Sequence, residues 1–208
     1  MLSYLQEKNA VANVLGKTDG ATANTVRDNA INEVRQFDIA NAYPFSWLER
    51  IDTPTTSATG SVDLNDDFNV THKPRDIRDA DDNIFVPINK ELFNTYSGGK
   101  YVYYIDYNTS TDLWQINTNA NSTALTIIYY AIPATLTTDN QVDPIPDLIV
   151  IKYLTAARFW LTERNYGNHD RFNDLGNQRL QMLINKDKKA NPQRLTRISN
   201  ADQGFNTL

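Results

Sequence analysis

The apolar segment at residues 148–161 constrains the fold of this chain more than any other feature. An Asp-Pro-Ile-Pro-Asp sequence at 143–147 precedes it, and proline is tolerated in the first turn of a helix. The segment is shorter than the roughly 20 residues of a membrane span, and Lys152 and Arg158 interrupt it. We therefore predict a soluble protein without a membrane partner, whose helix over this segment and up to about Arg164 needs neighbours on most sides.

A chain of 208 residues has few other elements with which to cover such a helix. We expect a second subunit to supply part of the cover, with the large side chains of the helix beside that contact. The candidate subunit-packing residues are Ile151, Leu154, Phe159 and Trp160.

Helical periodicity also marks the start of the chain and the stretch after the apolar segment. Residues 23–37 carry apolar side chains at spacings of three and four, which share one face of a helix: Ala23, Val26, Ala30, Val34 and Phe37. Thr25 and Asp28 have the spacing of a capping box at the start of this helix. A weaker helix is expected over about residues 3–15, and a last helix over about residues 169–187.

The middle of the chain shows instead the period of two that is typical of strands. Apolar and polar side chains alternate near Val62 and Val86, over residues 101–107 and over residues 125–132. Glycine- and asparagine-rich turn sequences separate these stretches. Five or six short strands at this spacing predict a small antiparallel β-sandwich or open barrel.

The order of these patterns predicts an α+β protein. We expect the N- and C-terminal helix pairs to form one helical bundle, into which the small antiparallel β-sandwich or open barrel is inserted. The chain then divides into N-terminal bundle helices at 1–46, an inserted β domain at 47–136, C-terminal bundle helices at 137–189 and an extended C-terminal tail at 190–208.

Charge is distributed unevenly along the chain. The net charge is -5, yet residues 186–198 hold five basic residues against one acidic residue. The rest of the chain is therefore acidic, and an acidic body does not grip DNA, because affinity for phosphate comes from concentrated lysine and arginine. The basic end is the one place where an acidic partner could be held.

The residue types that carry catalytic or metal chemistry are sparse. There is no cysteine, and His72 and His169 lie outside any metal-ligand spacing. The acidic run at 79–83 begins like a calcium loop, but Ile84 stands at the glycine position and Lys90 at the last ligand position. We therefore predict a protein that is not an enzyme and has no catalytic residue, cofactor or metal.

Several local sequences, taken in order, resemble the head-to-tail adaptor (connector or neck) proteins of tailed bacteriophages. They are Asn-Ala-Tyr-Pro-Phe-Ser-Trp-Leu at 41–48, Gly60 followed by the turn at 64–68, Tyr-Tyr-Ala-Ile-Pro at 129–133, and Ile-Pro at 145–146 before the apolar helix. Together they cover roughly residues 25–185. Each is common alone, so the order and spacing carry the resemblance.

The resemblance implies a structural virion protein of the neck, between the capsid portal and the tail, present in the host cytoplasm during assembly. It implies a homo-oligomeric ring, typically of twelve subunits, that docks on the portal protein and binds downstream neck or tail proteins. DNA would pass through its channel without sequence-specific binding. We expect the basic C-terminal end to order against the portal. The candidate portal-binding residues are Lys188, Lys189, Arg194, Arg197 and Phe205.

Two alternatives remain at the level of sequence. Another neck, tail-completion or fibre-anchoring virion protein would share the composition without touching the portal. A small ligand-binding β domain is suggested by Tyr101, Tyr103 and Tyr107, which could stack on a sugar or a base. No lysine or arginine is interleaved with these tyrosines, so a row that faces a β core is favoured.

Overall fold

A computed structural model describes residues 2–16, 21–96 and 101–192. The chain falls into two compact units. The helical unit comprises residues 1–48 and 132–190, and the β unit contains residues 49–131. In chain order the elements are β1 (Leu2–Ser3), α1 (Tyr4–Leu15), α2 (Ala21–Glu33), a π-helical turn (Val34–Ile39), a 3-10 turn (Ser46–Leu48), β2 (Glu49–Asp52), β3 (Ser61–Asp63), β4 (Asp76–Asp79), β5 (Val86–Pro87), a second 3-10 turn (Lys90–Leu92), α3 (Phe93–Tyr96), β6 (Val102–Asn108), β7 (Leu113–Thr118), β8 (Leu125–Tyr130), β9 (Val142–Asp143), α4 (Leu148–Thr162) and α5 (Tyr166–Ala190).

The long helices and most of the strands occupy separate stretches of the sequence, which confirms the α+β class. The division of the chain at 1–46, 47–136, 137–189 and 190–208 stays a prediction. Within the ranges that the structure describes, no helix combines the length and the apolar character that crossing a membrane requires.

The apolar sides of α1, α2, α4 and α5 meet in one core of the helical unit. Its fully buried members include Val11, Ile31, Val34, Ile39, Phe45, Ile145, Val150, Ile151 and Ala156. Burying one large apolar side chain stabilises a fold by roughly 1.5–3 kcal/mol relative to leaving it exposed. This shared core is what joins the two ends of the sequence.

A capping box begins α1 rather than α2. The Ser3 hydroxyl accepts a hydrogen bond from the Gln6 amide at 3.4 Å, and Gln6 Oε1 accepts one from the Ser3 amide at 2.9 Å. The capping box expected at Thr25 and Asp28 is wrong, because α2 already begins at Ala21 and both residues lie inside it.

One wide turn after α2 changes which side chains face the core. The turn is π-helical, since the Ala40 amide donates to the Arg35 carbonyl five residues earlier. A π turn rotates the residues that follow it relative to a continuous α-helix. Ile39 is therefore buried and Phe37 is 54% exposed, so the prediction that Phe37 shares one face with Ala30 and Val34, which are buried, is wrong.

The chain itself covers most of α4. The helix contacts α1, α2, the π-helical turn and α5. Ile151, Leu154 and Phe159 are consequently buried, and the half-buried Trp160 packs against the same core. Four elements of the same chain thus cover these side chains, and the expectation that they lie beside a subunit contact stays a prediction.

A glycine lets α4 and α5 approach each other closely. A Cβ atom at Gly176 would lie 2.5 Å from Cδ2, 2.8 Å from Cγ and 3.2 Å from the backbone nitrogen of Leu154. No larger residue fits this position unless Leu154 and the helix behind it shift.

The β unit contains two sheets. One has the strand order β2-β8-β4 and the other β3-β7-β6-β5. All their pairs are antiparallel except β5 with β6, where Val86 pairs with Val102 in parallel. The expected all-antiparallel arrangement is wrong at this edge, because the connection between the two strands returns to the starting end of the sheet before β6 begins.

Side chains from both sheets bury the core of the β unit. Leu125, Ile127 and Tyr129 alternate along β8 and face this core, as their period of two predicts. Tyr103 and Ile116 meet them from the other sheet. The β strands thus form a second hydrophobic core, separate in composition from that of the helical unit.

Candidate assembly interfaces

The last turn of α5 carries exposed positive charge. Lys186, Lys188 and Lys189 are exposed, whereas Asp187 between them is only 7% exposed. Asp187 faces inward because it lies four residues after the buried Leu183, on the same side of the helix. We call the three lysines the basic end of α5.

Contacts inside the helical unit fix the orientation of this basic end. The Asp187 carboxylate accepts hydrogen bonds from the hydroxyl and the amide of Ser46, at the start of the first 3-10 turn. The Lys188 ammonium group lies 5.5 Å from the centre of the Tyr43 ring, within the range of a cation–π contact. The lysines therefore project from a firmly packed helix end.

The structure locates two of the five predicted portal-binding residues. Lys188 and Lys189 belong to the basic end, and α5 continues through Ala190, so the helix reaches the residue at which an extended tail was expected to begin. The other three lie outside the described residues: Arg194, Arg197 and Phe205.

The acidic surplus of the chain resides in the β unit. Residues 49–131 contain twelve acidic and six basic residues, which is a net charge of -6.

Within the β unit, a tyrosine lies among some of these acidic side chains. Tyr129 donates a hydrogen bond to Asp67 at 2.8 Å, and Asn65 Nδ2 lies 3.1 Å from the Tyr129 hydroxyl and 3.2 Å from Asp52. Burial raises the pKa of Tyr129 to about 12, and the charges of Asp67 and Asp52 add to this increase.

The acidic run that begins like a calcium loop is a self-contained turn. One oxygen of Asp79 accepts hydrogen bonds from the amides of Asp81 and Asn83 at 3.0 and 2.9 Å, and the other accepts one from the Asn83 side chain at 2.8 Å. Slight desolvation raises the pKa of Asp79, but these hydrogen bonds outweigh it and the net shift is downward. The carboxylate thus satisfies its own backbone.

The two histidines serve local packing. The His72 ring lies 5.9 Å from the Tyr130 ring, edge to face, and His169 Nδ1 lies 3.0 Å from the Ala157 carbonyl oxygen. Among the residues that the structure describes, no three metal-ligating side chains of the usual types come together.

The tyrosine row on β6 divides between the core and the surface. Tyr103 is buried, whereas Tyr101 and Tyr107 are each 42% exposed. The two exposed rings pack edge-on against Phe85 and Trp114. The prediction of a core-facing row therefore holds only for Tyr103, because Tyr101 precedes the strand and Tyr107 lies near its end.

Two exposed apolar side chains of the helical unit lie near a group of ion pairs in the sequence. Arg158 on α4 contacts Asp38 through two hydrogen bonds of 2.8 and 2.7 Å, and Glu33 through one of 2.7 Å. One turn further along α4, Leu161 is 47% exposed, and Phe37 precedes Asp38 on the π-helical turn. Exposed apolar side chains thus lie close in sequence to the charged residues Arg158 and Asp38.

The sequence patterns missed a buried polar arrangement on α2 and the π-helical turn. Arg35 contacts Asp143 through two hydrogen bonds of 2.7 and 3.0 Å. Asn32 donates to the Leu136 carbonyl at 3.1 Å and accepts from the Leu136 amide at 2.8 Å, while Gln36 donates to Pro133 O at 3.0 Å. The spacing of three and four among these polar residues was the available signal, since it places them on one helical face.

Comparison with known families shows which family the chain belongs to. Residues 3–198 match the sequence profile described as SU10 adaptor protein, a match that includes both units and the basic end. The chain belongs to the SU10 adaptor protein family. The resemblance to phage head-to-tail adaptors is thereby confirmed. SU10 adaptor proteins are structural proteins of bacteriophages, and the family implies a place in the virion neck. No curated protein matches this adaptor.

Proposed function

We propose that this adaptor forms a ring that docks on the portal, connects the capsid to the tail and encloses part of the channel for the genome. The family match over residues 3–198 carries the proposal. A ring typically of twelve copies has the symmetry of such a joint, because identical subunits in head-to-tail contact close when their rotation allows it. The protein acts in this scheme by shape and contact rather than by catalysis.

The portal contact is assigned to the basic end of α5 and the residues after it. Lys188 and Lys189 project from a helix end that Ser46 and Tyr43 hold in place. A charged group that is already oriented loses less conformational entropy when it binds. Arg194, Arg197 and Phe205 would extend the same contact along the chain.

The subunit contact is assigned to the exposed apolar residues of the helical unit. Phe37, Ile149 and Leu161 are between 40% and 54% exposed. Ile151, Leu154, Phe159 and Trp160 form the rigid core beneath them and support this surface from inside. Aromatic and aliphatic side chains next to arginine, as at Arg158, are the composition that protein interfaces favour.

The genome is expected to pass without being held. A β unit with a net charge of -6 repels phosphate, so it does not retain duplex DNA by counterion release. The same charge favours basic surfaces on neighbouring neck proteins.

The portal contact is tested by reversing two charges at the basic end. The variant Lys188→Glu/Lys189→Glu should lose binding to purified portal in native mass spectrometry, whereas Arg171→Glu, an exposed reversal at the other end of α5, should bind as the unchanged protein does. Removal of residues 193–208 examines the rest of the assigned contact.

Three results bear on the assignment. Undiminished portal binding by both the double reversal and the truncation would remove the basic end from the interface. A protein that never assembles on portal, yet joins other neck or tail proteins, would favour a tail-completion role. A monomer that binds only sugar would contradict the adaptor proposal itself.

A further inference from the structure

One acidic side chain is buried in the helical unit without a hydrogen-bond donor. Glu7 on α1 is 0% exposed. Neither of its oxygens accepts a hydrogen bond from any described residue. An ionised carboxylate in such a place is strongly disfavoured, because burial removes its hydration and nothing replaces it.

The charge of Asp143 makes ionisation of Glu7 still less favourable, and the charge of Arg35 offsets this only in part. Asp143 on β9 faces Glu7, and its charge is matched by Arg35 on the π-helical turn, with 1% and 0% of the two paired side chains exposed. Asp143 also accepts a hydrogen bond from the Ile145 amide at 3.1 Å. Arg35 is further held by Asn32 Oδ1 and the Ala134 carbonyl, both at 3.0 Å.

The charges at this buried site balance only if one of the two carboxyl groups is neutral. One arginine faces two carboxyl groups, so two ionised carboxylates would leave an unmatched negative charge in the core. From its own helix Glu7 faces Tyr4, whose hydroxyl donates to Asp28 O at 3.4 Å. Burial raises the pKa of Tyr4 to about 12, so the phenol stays neutral, and a neutral phenol cannot balance a carboxylate charge.

We infer that Glu7 and Asp143 share one proton, and that this buried acid pair holds β1 and α1 on the helical unit. Neutral Glu7 donates its O–H to the Asp143 carboxylate, which forms the ion pair with Arg35. Asp143 is also the residue that pairs with Leu2 in the short β1–β9 ladder. Loss of the proton therefore places two like charges at the point where the N-terminal segment is attached.

The direction of the pH dependence follows from the two states of Glu7. Burial, and secondly the charge of Asp143, raise the pKa of Glu7 to about 9, against 4.5 for the ordinary side chain. Above pH 4.5 the folded chain therefore keeps a proton that the unfolded chain has lost. The contribution of this proton to stability is fully present below pH 4.5. Between pH 4.5 and about 9 the folding constant decreases about tenfold per pH unit.

The protonation itself is measured on the unaltered protein. Carbon-13 NMR of the glutamate carboxyl groups, with Glu7→Gln used for assignment, should show Glu7 neutral at pH 7 and ionising several pH units above the ordinary range. A Glu7 carboxyl that is ionised at pH 7 would overturn the inference, and this result does not depend on whether any variant folds.

The structural consequence is measured by hydrogen exchange. Raising the pH from 7 to 10 should release protection at the amides of α1 in the unaltered protein, after correction for the intrinsic exchange rate. Glu7→Gln retains a donor but has no charge to gain, so its protection should stay constant, whereas Glu163→Gln, at an exposed position, should behave as the unaltered protein does. Equal pH responses in Glu7→Gln and the unaltered protein would refute the role assigned to the acid pair.

Discussion

At the scale of single residues, the buried charged side chains Arg35 and Asp187 of this adaptor each lie against hydrogen-bonding partners. Arg35 brings Asp143, Asn32 and a backbone carbonyl with it, and Asp187 brings Ser46. Each buried group thereby replaces its lost hydration with hydrogen bonds in fixed geometry. These contacts also tie together stretches of chain that are more than a hundred residues apart.

Removing one partner of the buried ion pair should be costly. Asp143→Asn removes the carboxylate that holds Arg35 through two hydrogen bonds, so we expect the free energy of unfolding to fall by up to about 3–5 kcal/mol, less whatever ionisation of Glu7 opposite Arg35 restores. Asp139→Asn is the matched control, because Asp139 pairs with Lys8 on the surface and its side chain is 57% exposed. Its cost should stay below about 1 kcal/mol. Urea unfolding at pH 7 compares the two, and equal costs would contradict the assigned energetics.

A backbone position in the β unit gives a second residue-level prediction. Gly60 has a φ of 80°, and a Cβ atom there would lie 2.2 Å from the Thr118 carbonyl oxygen. Gly16 also has a positive φ, of 62°, but open space around it. Gly60→Ala should therefore destabilise the protein by clearly more than the roughly 1 kcal/mol expected for Gly16→Ala from conformation alone. Thermal unfolding of the two variants would show whether the clash or the conformation dominates.

At the scale of elements, α5 combines three surfaces in one helix. Its apolar stripe closes the core, Gly176 admits the side chain of Leu154, and the basic end carries charge to the outside. The helical repeat separates these surfaces by angle, so a single change of register would exchange buried and exposed residues. The position of α5 against α4 therefore determines where the basic end lies in the helical unit.

The helix contact is tested by two glycine substitutions in α5. Gly176→Ala forces a methyl group against Leu154 and should destabilise the protein by about 1–3 kcal/mol. Gly167→Ala meets no atom within 4 Å and should be neutral or stabilising by up to about 1 kcal/mol, because alanine favours helix. Chemical unfolding measures whether each substitution lowers or raises the free energy of unfolding. A stabilising Gly176→Ala would show that the two helices can separate at no cost.

At the scale of the whole molecule, charge is partitioned by unit. The β unit holds a surplus of six acidic residues, whereas the helical unit has twelve acidic and twelve basic residues. In the proposed ring this partition would give acidic surfaces on the β unit and electrically balanced ones on the helical unit, which favours an ordered arrangement of neighbours over non-specific association with the genome.

The proposed passage of DNA gives the prediction at this scale. At about 0.15 M salt the assembled adaptor should not retard duplex DNA in a gel, because phosphate binding needs concentrated positive charge. Replacing Asp66, Asp81 and Glu91 by lysine changes the net charge of the β unit from -6 to 0 and should increase retention, most strongly if this unit borders the channel. Firm retention by the unaltered ring would contradict a channel through which the genome slides.

The sequence by itself determined the broad organisation of this protein. Periods of 3.6 and of 2 predicted helices at both ends and strands between them, and the ordered motifs predicted the adaptor family, because these signals are local and repeat along the chain. The Asp-Pro-Ile-Pro-Asp sequence predicted the start of α4, where Asp147 accepts hydrogen bonds from the amides of Ile149 and Val150. The basic end was visible as a run of charge.

The tertiary structure decided the features that depend on meetings between distant residues. No local pattern showed that the π-helical turn would expose Phe37, since a change of hydrogen-bond register leaves the apolar spacing unaltered. Periodicity likewise does not predict which elements cover α4, that β5 pairs in parallel, or that Glu7 lies close to Asp143. Each depends on which elements fold against one another, and a residue's burial and charge state follow from that packing.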